Sequence, residues 1–352
     1  MKKVLILIHK LQHYRIPIFN LVAQSCQLTV ACNNVDEVDI NSIRFEMINV
    51  KVSQFGPFIY HKGVKLHELC GDYDHVIALL NIRCVDVMWL LFKNRNYALS
   101  LWGIGVSASY NKKFDQKSYI SGFRNYFARK ADSLIFYTEF PVDRFVKAGY
   151  PGNQIFIAHN TVDNVVSCSE QNRTTFTFVG TLYREKGVLE LVEQYNQAFH
   201  ALNGNVYDLN IVGGGELFDE LKDKITGYGL SHKIFLLGAI YDTQELNKVL
   251  ATSLLSFSPT QAGLSVLQSM SVGVPFVTTK SAITGGEILN IQDGYNGLVL
   301  DNASDISQVM IDSVADKEKY LSMGRHAHHY YNQHRTPRIM AQGIIDCIKR
   351  GR

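Results

Sequence analysis

Short apolar, β-branched runs alternate with longer stretches of helical spacing from one end of the chain to the other. Six runs in the first half predict strands: Lys3–Ile8, Gln27–Ala31, His75–Leu80, Tyr97–Trp102, Ser133–Tyr137 and Ile155–His159. A polar, turn-like stretch from Asp163 to Thr174 follows. The pattern then restarts with Thr175–Gly180, Asp208–Val212, Ile234–Leu237, Leu254–Ser258, Pro275–Thr279 and Gly297–Leu300. Hydrophobicity is continuous within these runs rather than alternating, which predicts strands buried on both faces, as in parallel sheets covered by helices. Two βα series with a break near residue 168 predict an α/β protein of two doubly wound Rossmann-like domains, 1–167 and 168–330. The last stretch, 331–352, is expected to be a helix, with Pro337 at a break or a start, that packs back on the first domain.

Composition fits that outline. A chain of 352 residues with 46% hydrophobic and 19% charged residues is ordinary globular protein, and its length points to two domains. The longest apolar runs, Val4–Ile8 and Val87–Phe92, fall short of the roughly 18 residues that a spanning helix needs. After Met1-Lys2-Lys3 the first run is also too short for a signal peptide, so a cytoplasmic location is expected. Cys26, Cys32, Cys70, Cys84, Cys168 and Cys347 are scattered without a CxxC pair. His326, His328, His329 and His334 share a helical stretch, but no carboxylate or cysteine completes a metal set there. No metal site is expected.

The net charge of +3 is unevenly spread: residues 1–165 hold 19 Lys/Arg against 13 Asp/Glu, while the remainder holds 16 against 19. Much of the excess lies in Asn111–Lys130, where Lys112, Lys113, Lys117, Arg124, Arg129 and Lys130 mix with Tyr119, Ile120, Phe123, Tyr126 and Phe127. On a helix, Ile120, Phe123 and Phe127 share one face. Two readings stay open: a core-packing helix with a solvated basic face, or a patch that meets anionic lipid headgroups or an anionic acceptor. No nucleic-acid motif accompanies the patch, so nucleic acid is not an expected partner.

Parallel α/β domains bind ligands beyond the carboxyl ends of their strands. In the second series three such loops combine glycine with polar residues. Phe178 to Gly187 leaves a strand and enters a helix; Gly180 permits a tight turn, and Arg184 and Lys186 are cations beside a helix N-terminus, suited to a diphosphate. Gly213-Gly214-Gly215 lets backbone come close to a ligand or to a neighbouring strand. Ser258 to Met270 ends a strand and starts a helix at Gly263 and Leu264, with Gln268 about one and a half turns further in.

Together these loops resemble the nucleotide-sugar half of glycosyltransferase family 4, the retaining enzymes of the GT-B fold. Val179-Gly180-Thr181-Leu182 with Lys186-Gly187 comes first, then Ile211-Val212-Gly213-Gly214-Gly215, then Thr260 to Gln268 with Gly273-Val274-Pro275. Gly285-Gly286-Glu287 and Gly294-Tyr295-Asn296-Gly297 complete the order. The chain departs from the family where Thr181 replaces an arginine and where Thr260 and Gln268 replace a pair of glutamates. In the first half, His13-Tyr14-Arg15 with Pro17 is similar to the entry loop of a bacterial subset of these enzymes, and Trp102-Gly103, Tyr137 and Asn160 follow later strands.

The resemblance implies two domains facing across a cleft. It implies transfer of a sugar, with retention, from a UDP- or GDP-sugar to a glycan or lipid-linked acceptor in cell-surface polysaccharide synthesis. Neither a cofactor nor a metal is called for. The basic, aromatic-rich segment of the first half, rather than the resemblance, points to an anionic membrane surface at its inner face as a further expected partner. The implied reacting set is Arg184, Lys186, Thr260 and Glu287. Gly180, Thr181, Gly213, Gly214, Gly263, Leu264 and Gln268 are the implied donor contacts. His13, Tyr14, Arg15, Trp102, Gly103, Tyr137 and Asn160 are the implied acceptor contacts. A sugar-nucleotide epimerase on the same plan and a non-catalytic nucleotide-sugar-binding partner subunit are the alternatives; a dehydrogenase is disfavoured because no GxGxxG follows the first strand.

Overall fold

The computed structural model describes residues 1–106, 114–115, 119–164 and 172–351. The expected break near residue 168, Cys168, and Lys112, Lys113 and Lys117 of the basic segment lie outside the described residues. The chain divides into two compact units, whose described parts are 1–106, 115, 119–163 and 335–351 for the first and 114, 164 and 172–334 for the second.

The strands of the first unit are β1 (Lys3–Leu7), β2 (Gln27–Cys32), β3 (Glu46–Asn49), β4 (Lys51–Phe55), β5 (Phe58–Lys62), β6 (His75–Leu79), β7 (Ala98–Gly103), β8 (Ser133–Phe136) and β9 (Ile155–Ile157). Its helices are α1 (Ile16–Ala23), α2 (Leu66–Gly71), α3 (Val85–Leu90), α4 (Tyr119–Ala128) and α5 (Val142–Lys147). Seven strands form a parallel sheet in the order β3-β2-β1-β6-β7-β8-β9, and β4 and β5 make a separate antiparallel hairpin. Alternate residues of β1 serve opposite faces, as the pleat requires. Val4 and Ile6 pack with Ile18, Phe19 and Val22 of α1, while Leu5 and Leu7 join Val87 and Met88 of α3.

The second unit holds β10 (Thr175–Val179), β11 (Asp208–Val212), β12 (Ile234–Gly238), β13 (Ser253–Phe257), β14 (Gln261–Ala262), β15 (Phe276–Thr279), β16 (Ile283–Thr284) and β17 (Gly297–Leu300). Its helices are α6 (Val188–Ala201), α7 (Phe218–Gly227), α8 (Thr243–Ala251), α9 (Ser265–Ser271), α10 (Ile306–Ala315) and α11 (Lys317–His334). The parallel order β12-β11-β10-β13-β15-β17 reverses direction between β10 and β13, just as the first sheet reverses between β1 and β6. Such switch points leave a crevice beyond the carboxyl ends of the two strands, where α/β folds hold ligands. Phe176 and Phe178 of β10 anchor this core against Val188, Leu191 and Tyr195 of α6.

The final helix, α12 (Pro337–Arg350), belongs to the first unit, where Met340, Ile344 and Ile348 close the core over α1. It lies so near β9 that a Cβ on Gly343 would sit 1.9 Å from the Ile157 carbonyl oxygen. Only glycine fits there.

Five strands escaped the apolar-run pattern: β14 and β16, two residues each and too short to leave a run, and β3, β4 and β5 for a physical reason. β3 is a half-exposed edge strand, and β4 and β5 form a hairpin with much of its surface in solvent, so none carries a continuous apolar run. Helix α4 differs from its expected amphipathic arrangement too. Its packed residues include Arg124 and Ala128, and Phe123, which shares a helix face with Phe127, is 65% exposed.

Candidate functional site

The strand-end loop after β10 is built by close backbone crossing. The Gly180 amide donates to the Val212 carbonyl at 3.0 Å, and the Leu182 amide to the Gly214 carbonyl at 2.9 Å. A Cβ on Gly213 would lie 1.9 Å from the Gly180 carbonyl oxygen, and one on Gly215 would lie 2.4 Å from that of Leu182. The glycine triplet therefore serves the neighbouring strand end: it lets the β10 and β11 loops interlock.

That interlocking presents the segment 180–187. Thr181 is exposed, and Arg184 to Lys186 form a 3-10 turn that ends at Gly187 in a left-handed conformation. Lys186 is half-buried, its ammonium 5.7 Å from the centroid of the Tyr183 ring and close beside Gly180. Burial holds this lysine below its usual range, and among the described residues no neighbouring carboxylate offsets the shift. Arg184, by contrast, is 70% exposed and pairs with Glu220 in the first turn of α7 at 3.0 Å. The two cations singled out from the sequence thus have different settings.

The loop after β13 is tied to the same place. Thr260 Oγ1 donates to the Glu185 carbonyl at 2.6 Å, and the Tyr183 hydroxyl donates to Gln261 Oε1 at 2.8 Å. Gly263 and Leu264 lead into α9, and Gln268 on that helix donates through Nε2 to Asn247 Oδ1 of α8 at 3.1 Å. Asn247 is in turn bonded to buried Asn164. The short parallel pair β14–β16 brings Gly285 and Glu287 beside the Thr260 loop, with Gln261 opposite Ile283 and Ala262 opposite Thr284. Glu287 accepts the Gly285 amide at 3.0 Å. Asn296 is fully buried and holds its own turn, accepting from the Gln292 amide and donating to the Asn290 carbonyl. Its role is architectural.

In the first unit the residues chosen from the sequence also converge. The Arg15 guanidinium lies 4.6 Å from the Trp102 ring centroid and 5.6 Å from those of Tyr14 and Tyr137, and Nη2 donates to the Tyr137 hydroxyl at 2.8 Å. Arg15 Nη1 is buried without a hydrogen-bond partner among the described residues. Three strand ends, those of β1, β7 and β8, build this cage. Gly103 closes β7 where an added Cβ would come within 3.2 Å of that of Leu80, and Asn160 follows β9 half-buried. His13 is exposed, edge-on to Tyr14 at 5.9 Å, and lines a cavity of about 610 Å³ with Lys10, Gln12, Asn20, Asn34 and Glu37.

Sequence reasoning missed Tyr183, whose ring flanks Lys186 and whose hydroxyl joins the two loops; an aromatic residue three positions before the lysine was the available signal. It also missed the pairing of His61 with Asp86 at 2.8 Å, because β5 carried no strand signal, and the approach of His9 Nε2 to Cys84 Sγ at 3.1 Å, because that contact depends on the pairing of β1 with β6. The helical histidines have protein contacts: His326 stacks on Tyr295 at 4.0 Å, and His328 meets the Ser271 carbonyl at 2.9 Å.

Comparison with known proteins agrees with this layout. Residues 163–330 match the family described as glycosyl transferases group 1. A glycosyltransferase of Methanocaldococcus jannaschii, MJ1069, is 31% identical over 137 residues, 38% of this chain; the match spans about a third of that relative, 34% of its length. Among solved structures, Anabaena HepE in complex with UDP-glucose superposes with a TM-score of 0.72 at 17% identity, covering 99% of this chain and 100% of that one. TarM of S. aureus gives 0.71 at 13% identity, covering 99% and 98%. The lipopolysaccharide outer core galactosyltransferase WaaB gives 0.64 at 16%, covering 99% of each chain. The protein thus has the GT-B glycosyltransferase fold, and the unit that carries Lys186 is the one that matches glycosyl transferases group 1.

Proposed function

We propose that the protein is a retaining glycosyltransferase that moves a hexosyl group from a UDP- or GDP-sugar to a glycan or lipid-linked acceptor, in cell-surface polysaccharide synthesis. The observation that carries the reading is Lys186: a half-buried ammonium without a carboxylate counter-ion among the described residues, in the loop at the β10–β13 switch point. A buried, unpaired cation is costly in the free protein and gains most from an anionic ligand. UDP or UDP-glucose bound to HepE is the kind of ligand that supplies such an anion. In this reading the second unit holds the donor and the first the acceptor.

The chemistry then runs on one face of the sugar. The bond from the anomeric carbon to the diphosphate oxygen breaks as the acceptor hydroxyl approaches, and the departing diphosphate takes the acceptor proton. The protein's task is to stabilise charge growing on the β-phosphate, through Lys186 and the backbone amides leading into α9 at Gly263 and Leu264. Glu287 and Thr260 face the sugar, and Gln268 the ribose. The scheme asks for no metal ion, and it runs in the cytoplasm, where its donor is made.

A second reading has support from two hydrogen bonds. Thr260 and Gln268 are engaged by Glu185 and Asn247, which suits a non-catalytic nucleotide-sugar binder. Thermal melting with UDP, GDP and their sugars tests the donor site: a ligand at 100 times its dissociation constant adds about 2.7 kcal/mol. The wild type should be stabilised by one nucleotide and the Lys186→Ala variant should not. Stabilisation without glycosyl transfer to any acceptor in a panel would select the binder, and stabilisation by none would overturn both readings.

A further inference from the structure

The first unit carries an apolar surface that the transfer chemistry does not use. Hairpin β4–β5, helix α3 and helix α4 enclose a groove of about 530 Å³ whose walls include Phe58, Val85, Trp89, Phe92, Phe123 and Phe127. Trp89 is 62% exposed, and Phe55 at the hairpin tip is 79% exposed. Phe55 and Phe58 face each other in the hairpin register, on either side of its turn. Phe92 stacks on Tyr126 at 6.2 Å and meets Phe127 edge-on at 5.9 Å, so α3 and α4 present one continuous aromatic face. A contiguous exposed patch of this kind marks an interaction surface.

Charge selects the partner. Residues 51–62, 81–95 and 119–130 contain eight Lys/Arg and a single acidic residue, Asp86, whose carboxylate is engaged by the His61 amide and ring. Lys51, Lys62, Arg83, Lys93, Arg129 and Lys130 are exposed. Lys93 lies 5.3 Å from the Trp89 ring and Lys130 lies 5.9 Å from that of Tyr126, so cations edge the aromatic face itself. Protein interfaces are depleted in lysine at their centres. Tryptophan and phenylalanine bordered by lysine and arginine suit the boundary between acyl chains and anionic headgroups.

We infer that this face docks the first unit on an anionic lipid bilayer, with Trp89, Phe92, Phe123 and the Phe55–Phe58 hairpin tip entering the headgroup layer and the basic residues resting on it. The surface borders the acceptor side of the unit. Helix α3 begins at the carboxyl edge of the parallel sheet, and His9 at the end of β1 touches Cys84, the residue before α3. A bilayer on this face would therefore deliver a membrane-held molecule to the loop that carries Arg15. The docking itself stands apart from the transferase reading, since it uses none of the donor residues.

The test is flotation of the full chain with phosphatidylcholine vesicles, with and without about 25% phosphatidylglycerol, at physiological salt. The wild type is expected to float with the anionic vesicles and to stay behind with the neutral ones. A Trp89→Ser/Phe123→Ser variant should lose tenfold or more in partitioning, and a Lys93→Glu/Arg129→Glu/Lys130→Glu variant at least about 100-fold, since loss of each headgroup-facing charge alone costs roughly a factor of five. The charge variant alters no apolar side chain and keeps the test open if the serine variant unfolds. Failure of the wild type to float with anionic vesicles overturns the inference, as does equal flotation with neutral ones or undiminished flotation of both variants. Light scattering that finds a dimer in the wild type and a monomer in the serine variant, without flotation, assigns the face to a second copy and overturns it too.

Discussion

The two switch points solve one problem, presenting a cation at the end of a parallel sheet, by opposite means. In the second unit the cation is held by backbone: glycines 213 and 215 let two loops interlock, and Lys186 lies along the product with a tyrosine ring beside it. In the first unit the cation is held by side chains, with Arg15 inside a cage of Tyr14, Trp102 and Tyr137 drawn from separate strand ends. A lysine on interlocked backbone is a point charge, suited to the shifting charge of a diphosphate. A planar guanidinium stacked on indole is fixed in direction and suits a ligand that must be oriented.

The largest effect should come from breaking the backbone-held cation. Lys186→Ala is expected to lower turnover by about 100-fold or more, in line with loss of one donor to a developing oxyanion, and to abolish thermal stabilisation by the nucleotide. The pH dependence of nucleotide binding sharpens the point. Free Lys186 titrates below its ordinary 10.5 and a bound diphosphate raises it, so affinity should fall as pH rises through the free lysine's range. Lys186→Arg, which keeps the charge but titrates far higher, should stay flat over the same range; a decline of equal slope in that variant would show that another group is responsible.

Next in size is Arg15→Ala. Removing a charged donor from the cage should cost about tenfold or more in turnover while nucleotide affinity stays at the wild-type value. A matching loss of nucleotide affinity would erase the division of labour between the units.

A milder acid effect is expected to divide the units by stability. His75 on β6 is fully buried, bonded to Ser100 Oγ at 2.7 Å, and burial lowers its pKa to about 4. The unfolded chain takes up this proton near 6.5 and the folded unit does not, so stability should decline as pH falls from about 6.5 towards 4. Ser100 also meets Cys347 of α12 at 3.2 Å. Hydrogen exchange at pH 5 should therefore show α12 and β6 opening before β10 or α6, and His75→Gln should reduce the difference.

The smallest effect belongs to Arg184→Ala. Its exposed pair with Glu220 is the kind that contributes about 1 kcal/mol or less, so turnover should drop fivefold at most. A loss equal to that of Lys186→Ala would place both cations on the phosphate.

Much of this was legible in the chain because parallel strands buried on both faces leave continuous runs, and because loops that cross backbone need glycine where a side chain cannot fit. Gly180 was visible for that reason, Lys186 as a cation beside a helix start, and Thr260 and Glu287 only through the family resemblance; in the structure Thr260 bonds to the Lys186 loop at Glu185, and the β14–β16 pair sets the Glu287 turn beside Thr260. Arg15, Tyr14, Trp102 and Tyr137 were each visible at a strand end, whereas their meeting in one cage depends on strand order, which a run of hydrophobicity does not encode. The aromatic face was hidden differently. Helical spacing identifies apolar residues that share a side of α4 but not whether that side meets protein or solvent, so spacing alone left both readings of Phe123 open. Similarly, Thr260 and Gln268 read as ligand contacts, while their bonds to Glu185 and Asn247 come from residues far away in sequence.

Helix α12 sets the order in which the molecule can mature. Met340, Ile344 and Ile348 complete a core begun by Val4 and Ile6, so the first unit opens the chain and cannot close until its last residues have been synthesised. On the ribosome the second unit, contiguous through 172–334, can fold while the first still waits with α1 uncovered. Vectorial synthesis therefore finishes the nucleotide-facing half before the half that was begun first. A chain stalled shortly before Pro337 would carry one finished unit and one exposed, aggregation-prone apolar face.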